Sequence, residues 1–255
     1  MKIILHIPHS SLNFPHRKGF LISAEELLKE AEHLGDLHTE DLFYPNEQRK
    51  RYRAVVAGFS RVFCDVERYE EDEAEGMSRF GMGVLYTHND NGEQIRAIST
   101  ELGEEILSEY YRPHHKELEQ QVEECLQSSE EVLIVDCHSF PDVPFNNSIL
   151  SVSGEMRPDI CIGTDEHHTS KELTEFVVGF FKSKGYSVRI NTPYAGSIVP
   201  LKLYRSSPKL STIMIEVNRK LYMNEMTKEK LEGGGEFQKM QEAIQELFVM
   251  IGKGD

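Results

Sequence analysis

Two histidines follow short apolar segments in this sequence, where strands of an α/β sheet would end. His138 comes after the β-branched run at 132–135, and His9 comes after the apolar run at 2–7. Polar side chains at the carboxyl ends of such strands face the crevice in which α/β proteins bind ligands. Asp136 precedes His138 by two residues and is suited to orient a metal-ligating histidine. A capped turn is the alternative interpretation, and the repeated pattern favours a metal centre.

Two carboxylates extend this set of candidate residues. Glu216 lies near the end of the apolar run at 212–217, where burying a carboxylate without a partner is costly. Asp36 lies just after the first predicted helix. Two histidines and one carboxylate are a common catalytic zinc set, and a second carboxylate can accept a proton from water. The candidates are far apart in the chain, so no local motif such as H-E-x-x-H certifies the site.

Two arginines are candidates for anion binding. Arg61 and Arg68 flank an apolar patch close to a predicted strand end, and guanidinium groups bind carboxylates through paired hydrogen bonds. The alternative is surface salt bridging with the acidic run at 70–75.

Other chemistries fit the sequence less well. The four cysteines form no C-x-x-C pair, and alternation along a strand turns Cys137 to the face opposite His138. The sequence has no G-x-S-x-G elbow, no phosphate-binding G-x-x-x-x-G-K-[ST] loop and no G-x-G-x-x-G turn. A serine hydrolase based on Ser139 would need a base that the sequence does not indicate.

Composition limits the class of partner. The 255 residues carry a net charge of −15, which argues against nucleic acid or an anionic membrane as the main partner. No apolar run approaches the roughly 20 residues that span a bilayer. The N-terminal segment becomes polar too soon for a signal peptide, so we expect a cytoplasmic protein.

Predicted strands alternate with predicted helices over the whole length. This alternation, without a linker or an internal repeat, predicts one α/β domain over residues 1–255 with a mixed, mainly parallel sheet. The predicted strands lie at 2–7, 53–59, 84–87, 132–135, 148–152, 160–163, 186–190 and 211–217. The predicted helices lie at 23–34, 93–127 with a break near Pro113, 171–184 and 236–250.

The polar segments, taken in order, resemble those of the N-formylglutamate amidohydrolase family. The matching segments are 8–10, 36–38, 60–68, 110–115, 136–139, 163–164, 191–196 and 216–223. Each is short, but the ordered set covers most of the chain. The fold of that family resembles the zinc carboxypeptidases, which implies a three-layer α/β/α domain.

The resemblance implies roles for individual residues. Zinc would be held by His9, Asp36 and His138, and Glu216 would be the general base. Substrate would be bound at Arg61, Arg68, Asn191 and Arg219. Asp136 would orient His138, and His115 would support the site.

The chain departs from the family pattern at two places. The family often has Asp-x-Asn-Arg where this chain has Asp65-Val66-Glu67-Arg68, and the acidic run at 70–75 replaces a proline-rich continuation. Both departures bear on the substrate more than on the reaction type.

The expected function is zinc-dependent hydrolysis of a small anionic N-acyl amino acid, first N-formyl-L-glutamate to formate and glutamate. One alternative is a zinc amidase or carboxypeptidase with a peptide or cell-wall substrate. Another is an inactive family member that acts as a binding protein.

Overall fold

Six strands form a single sheet in the computed structural model, which describes residues 1–146 and 156–252. The strands are β1 (Lys2–Ile7), β2 (Arg53–Val56), β3 (Val132–Phe140), β4 (Ile160–Gly163), β5 (Val188–Ile190) and β6 (Leu210–Asn218). Their order is β2-β1-β3-β6-β4-β5, and every neighbouring pair is parallel except β4 and β6. The predicted α/β class with a mixed, mainly parallel sheet is confirmed.

Within the described ranges six α-helices accompany the sheet: α1 (Ala24–Leu34), α2 (Thr39–Phe43), α3 (Thr100–Ile106), α4 (Arg112–Ser128), α5 (Lys171–Ser183) and α6 (Glu236–Gly252). The start of α1 is fixed by a capping box, in which Ser23 and Glu26 each accept the other's backbone N–H. No helix in the described ranges is long and apolar enough to cross a membrane.

Some predicted elements differ from the structure. Residues 84–87 form no strand, because Val84 and Thr87 bond to loop residues and not to a sheet neighbour. The helix predicted from residue 93 begins at Thr100, where Ser99 caps its first turn. A π-helical turn, Leu107–Tyr111, stands where a break was expected. The strand predicted at 148–152 lies outside the described residues.

Helices cover both faces of the sheet. On one face α2, α5 and α6 pack against side chains of the four central strands, among them Leu5, Leu133, Ile162 and Ile213. On the other face α4 packs its Leu118, Val122 and Cys125 against Ile4 and Ile134. The three-layer arrangement follows from strands that are apolar on both sides.

The strand register places the polar residues on the α4 face. His138 of β3 is the direct partner of Glu216 of β6, and Asp136 of β3 is the partner of His6 of β1. Directly paired side chains in a sheet lie on the same face. Cys137 packs in the core of the opposite face, as the alternation predicted, and takes no part in this group.

Truncating the central strand should be far more costly than truncating the surface. We expect Leu133→Ala to lower the free energy of unfolding by about 2–5 kcal/mol, because Leu133 is completely buried and its loss leaves a cavity. The same change at Leu201, which is 81% exposed, should cost less than about 0.5 kcal/mol. Urea denaturation of both variants measures the difference, and equal losses would contradict it.

Candidate active site

His9, Asp36 and His138 converge at the carboxyl ends of β1 and β3, with ligand atoms that all lie within 4.8 Å of one another. His138 Nδ1 is 3.1 Å from Asp36 Oδ2, and His9 Nδ1 is 3.5 Å from the same oxygen. The Asp36 backbone N–H donates to the carbonyl of His9, which ties the end of α1 to the end of β1. All three side chains are buried.

A carboxylate holds the outer nitrogen of each histidine. His9 Nε2 lies 2.8 Å from Asp65 Oδ1, and His138 Nε2 lies 3.0 Å from Asp136 Oδ1. Because each Nε2–H donates outward, each Nδ1 faces the shared space. His9 Nδ1 is buried there without a hydrogen bond in the described part of the chain. Two imidazole nitrogens and one carboxylate oxygen, with carboxylates behind the imidazoles, fit a divalent ion such as zinc.

The charges in this group favour a cation at its centre. Burial lowers the pKa of His138, but Asp136 and Asp36 outweigh it and raise that pKa well above its usual value. Burial raises the pKa of Asp36, but the neighbouring imidazoles of His138 and His9 outweigh it and hold that pKa well below its usual range. His138 Nδ1 and Asp36 Oδ2 lie 3.1 Å apart, so a metal ion bound to both would take the place of a shared proton.

Arg219 fixes Asp36 from behind. Its Nη2 donates to Asp36 Oδ1 at 3.1 Å, and other N–H groups donate to Ser139 and to the carbonyls of His33 and Leu34. The residue is 2% exposed. Arg219 was predicted to bind substrate; in the structure its guanidinium is held by Asp36, a candidate metal ligand, and by the other acceptors.

Asp65 is a second centre of hydrogen bonding. Its carboxylate accepts from His9, from the Tyr86 hydroxyl at 2.8 Å, and from Arg61 Nε and Nη2 at 3.1 and 2.9 Å. Burial raises the pKa of Asp65, but Arg61, His9 and Arg68 hold it well below its usual range. Arg61 is thus engaged by the protein, whereas Arg68 Nε lies 3.6 Å from Asp65 and makes no hydrogen bond among the described residues.

Glu216 faces the ligand set from β6. Its Oε2 is buried and has no hydrogen-bond partner within the described ranges. Desolvation by burial, together with Asp36 and Asp136, raises the pKa of Glu216 to about 8. A carboxylate with an uncommitted oxygen and a pKa near neutrality is suited to take and return a proton.

The ligand set opens into a cavity of about 450 Å³. Glu216, Arg61, Arg68, Tyr86 and Tyr194 line it together with the three candidate ligands and several apolar side chains. Burial and the neighbouring Glu216 raise the pKa of Tyr194, so its hydroxyl stays protonated and can donate a hydrogen bond.

Two predicted site residues lie elsewhere. Asn191 is exposed, and its side chain bonds to the backbone and hydroxyl of Thr164, so it shapes a turn. The His115 ring packs on Tyr111, whereas its neighbour His114 approaches His6 at 2.9 Å between the Nε2 atoms. His114, not His115, therefore supports the group behind Asp136.

The sequence analysis did not assign roles to Asp65, His6 or His114. His6 Nδ1 lies 2.9 Å from Asp136 Oδ1 and 3.1 Å from Glu67 Oε1. For His6 and Asp65, one signal was available: each is a polar residue inside an apolar run, where burial requires a partner. For His114 no such signal was available, because it lies in a helix segment of mostly polar residues, and its contact with His6 was not predicted.

Comparison with known proteins agrees with this architecture. A model of the N-formylglutamate amidohydrolase family matches residues 1–223. The chain belongs to this family. The expected resemblance is confirmed, and the protein is a member of a family of amidohydrolases.

Two solved structures of the same fold resemble the chain. N-formylglutamate amidohydrolase from Ralstonia eutropha JMP134 has a TM-score of 0.80 at 24% identity, over 98% of this chain and 92% of that one. Gene product Atu2144 from Agrobacterium tumefaciens has a TM-score of 0.68 at 20% identity, over 99% and 92%. No curated protein matches the chain significantly by sequence.

The charged state of His6 should appear in the pH dependence of stability. Burial lowers the pKa of His6, but Asp136 and Glu67 outweigh it and raise the pKa to about 9. Between pH 6.5 and 9 the folded state binds the proton more tightly, so the free energy of unfolding falls as pH rises through this window. This shift in the pKa of His6 corresponds to about 3 kcal/mol in the free energy of unfolding.

We expect His6→Gln to remove this contribution, so the unfolding free energy of metal-free protein should change less between pH 6.5 and 9. His167→Gln, a change at a more exposed histidine, should keep the wild-type dependence. Urea titrations across the pH range test this. If the unfolding free energy of His6→Gln still changed with pH as in wild type, His6 would not be the source of the pH dependence.

Proposed function

We propose that the chain is a divalent-metal-dependent amidohydrolase that cleaves the amide bond of small N-acyl amino acids. N-formyl-L-glutamate, hydrolysed to formate and glutamate, is the first substrate to test because it names the family. One observation carries the proposal: two histidines, each held through Nε2 by a carboxylate, turn Nδ1 towards Asp36 beside an uncommitted Glu216.

In this proposal His9, Asp36 and His138 hold the ion, with zinc as the first candidate. When bound, the metal would act as a Lewis acid on the acyl carbonyl and would lower the pKa of a water molecule. Asp65 and Asp136 keep the imidazoles in the tautomer that leaves Nδ1 free. Arg219 keeps Asp36 in place, with Oδ2 on the side of the histidines.

Glu216 would accept the proton of the attacking water and pass it to the leaving amine nitrogen. The Tyr194 hydroxyl lines the same cavity and is available to stabilise the oxyanion that forms on the acyl oxygen. Arg68 would bind the substrate carboxylate, since it lines the cavity and its side chain is 24% exposed.

Metal content and turnover measured on three proteins test this assignment. We expect wild type to hold about one equivalent of zinc after loading and His138→Ala to lose it, because one nitrogen ligand is removed. Glu216→Gln should keep the metal and lose about 10²–10⁴-fold in kcat, as expected for loss of a general base. Elemental analysis and formate release are the measurements.

Surface variant Glu73→Gln is the matched control for Glu216→Gln, because it makes the same chemical change on an exposed residue. It should retain both metal and activity. Wild-type activity in Glu216→Gln would remove Glu216 as the base. Wild-type protein that takes up no divalent ion would contradict the proposed reaction.

A further inference from the structure

The pocket offers a substrate few positive charges. Arg61 is 13% exposed and already donates twice to Asp65. Arg219 is held by protein acceptors behind Asp36. Arg68 Nε is buried 3.6 Å from Asp65, but among the described cavity residues Arg68 is the guanidinium that donates no side-chain hydrogen bond, and its side chain is 24% exposed.

Negative charges outnumber this cation on the cavity wall. Glu67 and Glu75 line the cavity in addition to Asp36 and Glu216, whose two charges would balance a divalent ion. Glu75 accepts hydrogen bonds from the backbone N–H groups of Tyr69 and Met77, which carry no compensating charge.

Glu67 is compensated only in part. Its Oε1 lies 3.1 Å from His6 Nδ1, but the same nitrogen lies 2.9 Å from Asp136, so one imidazolium serves two carboxylates. The wall around Arg68 therefore keeps an excess of negative charge.

Another part of the wall is apolar. Five side chains supply this part: Leu34, Met77, Met82, Phe145 and Met214. Such a surface favours an uncharged group, because a carboxylate placed against it loses hydration without gaining a partner. The pocket thus combines one carboxylate-binding position with surroundings that disfavour a second.

We propose that the pocket binds one carboxylate, the α-carboxylate, and selects N-formyl amino acids whose side chain carries no negative charge, with Glu75 and Glu67 rejecting a side-chain carboxylate. This inference rests on the proposed function and narrows its substrate class. Like charges brought together at a binding surface give specificity by repelling the wrong partner.

Substrates that differ in charge alone give the direct test. N-formyl-L-glutamine and N-formyl-L-glutamate have almost the same shape, and N-formyl-L-methionine presents an apolar chain of similar length. With zinc-loaded wild type we expect kcat/KM to be at least tenfold higher for the glutamine and methionine derivatives than for the glutamate derivative. The initial rate of formate release measures each value.

Removing a negative charge from the cavity wall should reduce the preference for substrates with uncharged side chains. Glu75→Gln should raise kcat/KM for N-formyl-L-glutamate, relative to that for the glutamine derivative, about five- to tenfold. Glu67→Gln should act in the same direction and provides a second variant if Glu75→Gln distorts its loop. Glu73→Gln removes an equal charge from the same acidic segment outside the cavity lining and should leave the ratio as in wild type.

The variant Arg68→Gln tests whether Arg68 binds the α-carboxylate or the side-chain carboxylate of the substrate. It should raise KM for the glutamine and glutamate derivatives by a similar factor, about ten- to a hundredfold, because both share the α-carboxylate. A rise confined to the glutamate derivative would mean that Arg68 binds the side chain, and it would overturn the inference.

The outcomes separate the two proposals. Faster cleavage of N-formyl-L-glutamate than of its glutamine analogue by wild type would overturn the selectivity and leave the proposed hydrolysis in place. Zinc-loaded protein that cleaves none of the three derivatives would overturn both. A wild-type preference for uncharged side chains that shrinks in Glu75→Gln or Glu67→Gln supports the inference.

Discussion

The carboxylates of Asp36, Asp65 and Asp136 lie in the protein interior, and each is held there by several charged or polar donors. Moving an ionised carboxylate out of water costs several kcal/mol unless such partners replace the lost hydration. Asp65 accepts from one histidine, one arginine and one tyrosine side chain, and Asp36 lies between two imidazoles and Arg219. Folding of this region therefore requires distant segments to meet in one geometry, which also brings together three side chains that could hold a metal ion.

The sheet supplies the precision of that geometry. Pairing of β3 with β6 sets His138 opposite Glu216, and a shift of one residue would turn both side chains to the other face. The loop residue Asp65 then connects this rigid part to the cavity, because one carboxylate holds both His9 and Arg61. The orientation of a metal ligand and the shape of the substrate pocket are consequently not independent in this molecule.

Much of the fold was predictable because its signals are local. The apolar runs that became β1, β3, β4 and β6 are bounded by polar loops, and the capping box of α1 is visible as Ser23 and Glu26. The apolar residues at 84–87 misled the prediction, since short apolar runs occur equally in irregular segments that pack against a core. Helix α3 began later than expected because a periodic pattern does not locate the cap, which Ser99 provides.

The sequence by itself determined which residues could do chemistry: His9, His138 and Glu216 stand out as polar groups at the ends of apolar strands. Only the tertiary structure decided their partners. Arg219 and Asp36 are 183 positions apart and meet because Arg219 follows the end of β6 while the Asp36 backbone is bonded to His9, just beyond the end of β1. A guanidinium that could bind substrate and one that holds a ligand look alike in sequence. The difference between them is set by the acceptors that folding places within hydrogen-bond distance.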